Sequence, residues 1–170
     1  MLSSTMTQLA LALGVAAFLS YRGFRKSSLT LDGAFAAACV GTIAFAASVR
    51  GGILMITFYQ TGSILSKFKQ SEKAKKDATG EGERHGRDAE QVLSCSLVAC
   101  LLGLLSIAQF GLGYDDRLES DTTGVYLSHS AILCGIVAHY AICAGDTWAS
   151  ELGTLQKRSP FLVTAPWRTV

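Results

Sequence analysis

The chain has no Gly-x-x-x-x-Gly-Lys-Ser/Thr loop, no Rossmann glycine pattern and no His-Glu-x-x-His helix. These absences remove the best-known phosphate-cradling loops and the zinc-protease helix. No serine or cysteine triad can be assembled from its residues. No basic n-region precedes Arg22, so a cleaved secretory signal is not expected. The same segment is a poor transit peptide, being mostly apolar with its basic residues only at the end, and it reads as a first span. None of the five cysteines (Cys39, Cys95, Cys100, Cys134, Cys143) forms a C-x-x-C pair. Each lies in or at the edge of an apolar run, which predicts small buried apolar residues rather than disulfides or zinc ligands.

What the chain does have is apolar sequence in blocks. Of its 170 residues, 49% are hydrophobic, and they gather into runs of near-bilayer length. Five can be drawn: Thr7–Tyr21, Leu31–Val49, Ile53–Leu65, Val92–Tyr114 and Val125–Ala144. A full span needs about 20 residues, so the first and third are short. The expected fold is all-α: one polytopic transmembrane domain over 1–170, a bundle of about five spans.

The formal net charge of +2 says little as a total, but its placement says more. Arg22, Arg25 and Lys26 follow the first run. Lys67, Lys69, Lys73, Lys75, Lys76, Arg84 and Arg87 follow the third, and Lys157, Arg158 and Arg168 follow the fifth. Between the fourth and fifth lie Asp115, Asp116, Glu119 and Asp121 with one Arg117. Basic residues in alternate loops satisfy the positive-inside rule for an odd number of spans. They put the N-terminus outside or in a lumen and the C-terminus on the cytosolic side. Residues 66–90 then form a charged cytosolic loop, flexible around Gly80, Gly82 and Gly86, with Lys67–Lys76 able to continue the third helix into solvent. That loop reads either as a solvated connector or as a phosphate-handling segment.

Three polar features lie within the apolar sequence. Gly33, Ala37 and Gly41, beside Ala34, Ala38 and Thr42, make a strip where another helix can approach closely, within the chain or in a homo-oligomer. His139 is expected to bridge to a neighbouring helix through a hydrogen bond rather than to hold a metal. The third feature is Gly145-Asp146-Thr147-Trp148-Ala149-Ser150-Glu151-Leu152-Gly153. A carboxylate at bilayer depth costs roughly 2.5 kcal/mol or more, so one that persists is a candidate site. Glycine at both ends predicts a helix that breaks or restarts near 145–153, with Asp146 as its cap. On a continuous helix Asp146 and Glu151 would instead diverge by about 140°. Such hard oxygen donors suit Mg²⁺, which keeps several waters and bridges to substrate phosphates.

At these residues the chain resembles a known family. The 145–153 segment looks like the hallmark of the transmembrane protein 19 (DUF92) family. Ser28-Leu29-Thr30, Gly33-Ala34 and Val40-Gly41 resemble its first conserved block. Gly62-Ser63, Leu65-Ser66-Lys67, Arg87 and Gln91-Val92-Leu93 resemble its second. The best characterised branch is the plastid phytyl-phosphate kinase, and the Gly145, Asp146, Ala149, Ser150, Gly153 spacing also resembles CTP-dependent polyprenol kinases and cytidylyltransferases. The resemblance implies phosphoryl transfer from a nucleoside triphosphate to an isoprenoid phosphate at the membrane surface, with no nucleic acid involved. It implies Asp146 and Glu151 as catalytic carboxylates and metal ligands, Lys67 as a catalytic cation, and Ser150, Thr147, Arg87 and Lys157 as contacts to the nucleotide and its phosphates. The alternative it leaves open is a non-catalytic scaffold, lipid binder or transporter of the same fold. Two positions depart from the pattern: Cys95 stands where the family usually has asparagine, and Phe161 where it often has arginine. The family continues past the position of Val170 with a proline- and glycine-rich motif and further spans, so the bundle is expected to be incomplete at that end.

Overall fold

The computed structural model describes residues 2–76, 86–112, 128–153, 161–162 and 165–169. The helices are α1 (Leu2–Arg25), α2 (Leu31–Ala47), α3 (Val49–Lys76), α4 (Ala89–Ser94), α5 (Leu97–Phe110) and α6 (His129–Gly153). Their ends follow from local chemistry. Thr30, in extended backbone, opens α2 by accepting the Gly33 N–H at 3.2 Å. Asp88 opens α4 by accepting the Gln91 N–H at 2.9 Å, and the Ser128 hydroxyl accepts the Ala131 N–H at 3.2 Å beneath α6. Each side-chain acceptor satisfies a donor that the first helical turn leaves without an intrahelical partner. Ser48 alone separates α2 from α3. Its N–H closes α2 on Ala44 O, while its hydroxyl and carbonyl accept from Arg50 N and Gly52 N at 3.2 and 3.1 Å. A short antiparallel pair, Phe161–Leu162 with Ala165–Thr169, follows α6 and leaves the all-α class unchanged.

The protein is an all-α membrane bundle. Its inside is small or polar and its outside is large and apolar. Ala12, Ala16 and Ser20 form a buried strip on α1, one residue per turn, and a Cβ added to Gly41 of α2 would come within 3.1 Å of Ala16 Cβ. The small-residue strip predicted on α2 thus meets a matching strip on α1, an arrangement that lets two backbones approach in lipid. A second cluster joins α3, α5 and α6: Ala99, Ile132, Ile136 and Tyr140 are buried, with Leu54, Phe58 and Leu102 against them, and the Phe58 and Tyr140 rings lie 5.8 Å apart. Outward, Leu31 and Phe35 are 74% exposed and Ile142 72%. So many bare apolar side chains suit a lipid surround and not water. Among the described residues α6 has the length and hydropathy of a full span, and α2 and α5 are apolar but shorter.

Three expectations are corrected and one is met. First, no break occurs near 145–153: α6 runs unbroken from His129 to Gly153, so Asp146 caps nothing. Gly145 lacks a Cβ but keeps helical geometry, because an unbroken backbone ladder satisfies every polar group at that depth. Second, the fourth apolar run is not one helix. It breaks at Cys95–Ser96, where Cys95 N–H bonds to Gln91 O at 3.3 Å, Ser96 N–H bonds to Leu93 O at 3.0 Å, and α5 starts afresh from Ser96. Third, the short first and third runs extend into their polar flanks, as allowed above, to 24 and 28 residues as helices, with Lys67–Lys76 continuing α3. Fourth, only Cys100 is buried; Cys39 and Cys134 are exposed on outward faces, and all five thiols are free. Within the loop drawn at 66–90, α3 carries the chain to Lys76 and residues 86–90 are ordered; 77–85 lie outside the described residues.

Candidate functional site

The turn after α1 brings Ser28, Leu29 and Thr30 beside the returning end of the long loop. Leu29 and Arg87 form a parallel bridge. Arg87 N–H donates to Ser28 O, and Thr30 N–H to Arg87 O, each at 3.1 Å. The Thr30 hydroxyl adds a bond to the same carbonyl at 3.2 Å, and Ala89 N–H donates to Asp32 Oδ2 at 3.0 Å. Gly33 must be glycine because a Cβ there would collide with the Arg87 carbonyl. This stitching fixes the backbone of Arg87 at the end of the bundle where α1 stops and α2 starts.

Beneath it opens a cavity of about 300 Å³. Its depth is apolar, lined by Ala16, Val40, Gly41, Met55 and Phe58 among others. Its mouth is cationic: Arg22 of α1, Lys26 just after it, Lys67 from α3, and Arg87, with Glu151 of α6 as the one carboxylate in the lining among the described residues. Polar neighbours there include Ser28, Tyr59, Gln60, Ser63, Ser66, Gln91 and Thr147. The Arg87 guanidinium lies over the Tyr59 ring, 5.4 Å from its centroid, and the Tyr59 and Ser28 hydroxyls are 2.8 Å apart. A Cβ on Gly62 would come within 2.8 Å of Arg87 Nη2, so glycine makes the space that the guanidinium fills. The Ser66 hydroxyl donates to Glu151 Oε1 at 2.8 Å, joining α3 to α6.

The cavity sorts the residues singled out from the sequence. Lys67, Arg87, Thr147 and Glu151 converge on its lining; Asp146 and Ser150 are not part of it. Because α6 is continuous, Thr147 and Glu151 share one face and Asp146 and Ser150 another. Asp146 is exposed, and the Ser150 hydroxyl folds back onto Asp146 O at 2.8 Å. Among the described residues no three His, Cys, Asp or Glu side chains gather as a metal site. Lys157 lies outside the described residues. His139 behaves as a bridge: its Nε2 is 3.0 Å from Cys95 O, at the break between α4 and α5, and donates to that carbonyl, an acceptor with no proton of its own.

Arg22, Lys26, Tyr59 and Ser28 were not foreseen as site residues. The two cations had been read only as topology signals. Tyr59 and Gln60, polar residues in the third run, were the signal in the sequence that could have pointed here.

Residues 14–170 match the family described as integral membrane protein DUF92. The chain belongs to the DUF92 family. A relative of this DUF92 protein, Protein PGR of Arabidopsis thaliana, is 34% identical over 162 residues, which cover 95% of this chain and 54% of that one. The chain therefore spans about half the length of that relative. No solved structure matches. Membership in an integral membrane family agrees with the apolar exterior; the cavity is the feature of that bundle able to take a ligand.

Proposed function

We propose that this DUF92 protein binds an isoprenoid monophosphate in the cavity and, in the manner of the phytyl-phosphate kinase it resembles, transfers a phosphoryl group to it from a nucleoside triphosphate. The observation that carries the reading is the polarity of the cavity. An apolar chamber closed by four cationic side chains and one carboxylate fits an amphiphile with an apolar chain and an anionic head. A free isoprenol would leave the cations without counter-charge, and a hydrophilic phosphate would leave the depth unfilled. A non-bridging oxygen of the lipid phosphate attacks the terminal phosphorus of the nucleotide. The bond from that phosphorus to its bridging oxygen breaks, releasing nucleoside diphosphate and lipid diphosphate. Arg22, Lys26, Lys67 and Arg87 hold the head and neutralise its charge, which is most of what phosphoryl transfer asks of a protein. Glu151 of α6, which accepts from the Ser66 hydroxyl of α3, would with Thr147 one turn before it be the oxygen donors for Mg²⁺, an ion that needs few protein carboxylates when phosphates and water complete its shell. Bound there, the ion would offset charge on the transferred group.

Three pieces of sequence separated by spans supply the mouth: the end of α1, the loop after α3 and the end of α6. That meeting supports the alternation of loops and, with the positive-inside rule, a mouth on the cytosolic side of an endomembrane or plastid envelope. The test is radiolabelled CTP or ATP with phytyl or geranylgeranyl phosphate in membranes holding the full-length protein. Labelled lipid diphosphate is expected; its absence with every isoprenoid monophosphate offered removes the kinase reading.

One observation favours a second reading. Asp146, the carboxylate that the resemblance makes catalytic, faces away from the cavity. A lipid-phosphate binder or transporter would need the cavity and not that carboxylate. Uptake of the unchanged lipid phosphate into vesicles, with no labelled product, would select it.

A further inference from the structure

We infer that Tyr59 is a positioning residue that holds Arg87 as the anion receptor of the cavity. This rests on the reading of the cavity as a lipid-phosphate site. Among the described residues no carboxylate pairs with the Arg87 side chain, although Arg87 is half-buried and lines the cavity. An arginine taken partly out of water without a counter-ion normally costs stability. Here the cost is met by other contacts. The guanidinium carbon lies over the Tyr59 ring, 5.4 Å from its centroid, a cation–π attraction that strengthens as water is removed. The ring is fixed in turn by the Ser28 hydroxyl at 2.8 Å, and Ser28 is tied to Gly23 O at 3.0 Å. Gly62 clears the space for Nη2, and the backbone of Arg87 is bonded on both sides to residues 28–30.

The side chain is therefore oriented from one face by an aromatic ring, while no acidic partner among the described residues uses its donors. A carboxylate would have oriented the same guanidinium but consumed the donors a phosphate needs. An aromatic ring orients the cation and leaves its in-plane N–H groups for a planar, bidentate grip on phosphate oxygens. The sequence signal is a tyrosine in an apolar run, and its role appears only once the loop after α3 folds back over it.

The experiment uses the full-length protein in nanodiscs, with farnesyl phosphate as the probe and farnesol as the neutral control. Tyr59→Leu is expected to weaken farnesyl phosphate about tenfold, on the scale of a partly desolvated cation–π contact, and to leave farnesol unchanged. Tyr59→Phe keeps the ring and is expected to stay within about threefold of wild type. Arg87→Lys keeps the charge but loses the planar, two-pronged donor fork that Tyr59 orients, and should match Tyr59→Leu. The double variant Arg87→Lys with Tyr59→Leu should be no weaker than either alone, since both remove one interaction. Wild-type affinity in Tyr59→Leu, or additive losses in the double variant, would overturn the positioning role while the lipid-phosphate reading stands. Equal losses for farnesol and farnesyl phosphate would mark a packing defect and overturn it too. If wild type itself does not prefer farnesyl phosphate to farnesol, both the inference and the reading beneath it fall.

Discussion

The last two turns of α6 present two faces of nearly the same composition. One carries Thr147 and Glu151, the other Asp146 and Ser150. The first lines the cationic cavity and is tied to α3 through Ser66. The second is exposed, and its hydroxyl is bonded to its own helix. Residue type cannot tell these faces apart: each has one carboxylate and one hydroxyl, four residues apart. Helical phase separates them, and phase is settled by whether the helix continues through Gly145. A motif that reads as a single cluster along the sequence is thus divided between the cavity wall and an outward surface.

The strongest way to break this comparison is to remove the cavity's held cation. Arg87→Ala should weaken farnesyl phosphate binding by about 30-fold or more, as expected for loss of a charge-assisted, bidentate contact worth roughly 2 kcal/mol. Calorimetry in nanodiscs would show it, and an unchanged affinity would remove the cavity from the binding site. Next is Gly62→Ala, which adds one methyl where the guanidinium lies. Binding should drop about tenfold with little change in thermal stability, because the far end of a flexible side chain gives way before backbone does. The seam between α1 and α2 tests stability rather than binding. Ala16→Leu should destabilise the bundle by about 1–3 kcal/mol through overpacking, read as a lower unfolding midpoint in detergent. The smallest effect sharpens the contrast most. Asp146→Asn should leave farnesyl phosphate affinity within about twofold, since its face is outside the cavity, whereas Glu151→Gln should change it through the altered wall. If Asp146→Asn also abolishes labelled diphosphate formation, the two faces divide binding from turnover. If it weakens binding as strongly as Arg87→Ala, the division is wrong.

Much of the bundle was legible because lipid imposes simple rules. Five apolar runs correspond to the five long helices, and the strip of Gly33, Ala37 and Gly41 pointed to a close helix contact. The ends were less legible. Polar residues after Leu65 remain helical to Lys76, since hydropathy reports where a helix can sit in lipid and not where its hydrogen bonding stops. The break at Cys95–Ser96 left no glycine or proline to announce it. Its carbonyl is accommodated from another helix, by His139, and a partner 44 residues away has no local signature. Of the residues lining the cavity, Lys67, Arg87, Thr147 and Glu151 are ones the family resemblance singles out. Arg22, Lys26 and Tyr59 were missed because topology signals and span residues are judged one loop or one helix at a time, while the cavity is assembled from five helices.

Ser48 carries a further consequence. With one residue between α2 and α3, the connection has no slack, and the rotational setting of the whole of α3 is inherited from it. Losing or gaining a single residue there would turn α3 by about 100°. Tyr59, Gly62, Ser66 and Lys67 would swing off the chamber together, while every local helix signal and every apolar run stayed intact. A length change of one residue, far from the mouth and outside every polar motif, would rewrite the cationic wall of the cavity.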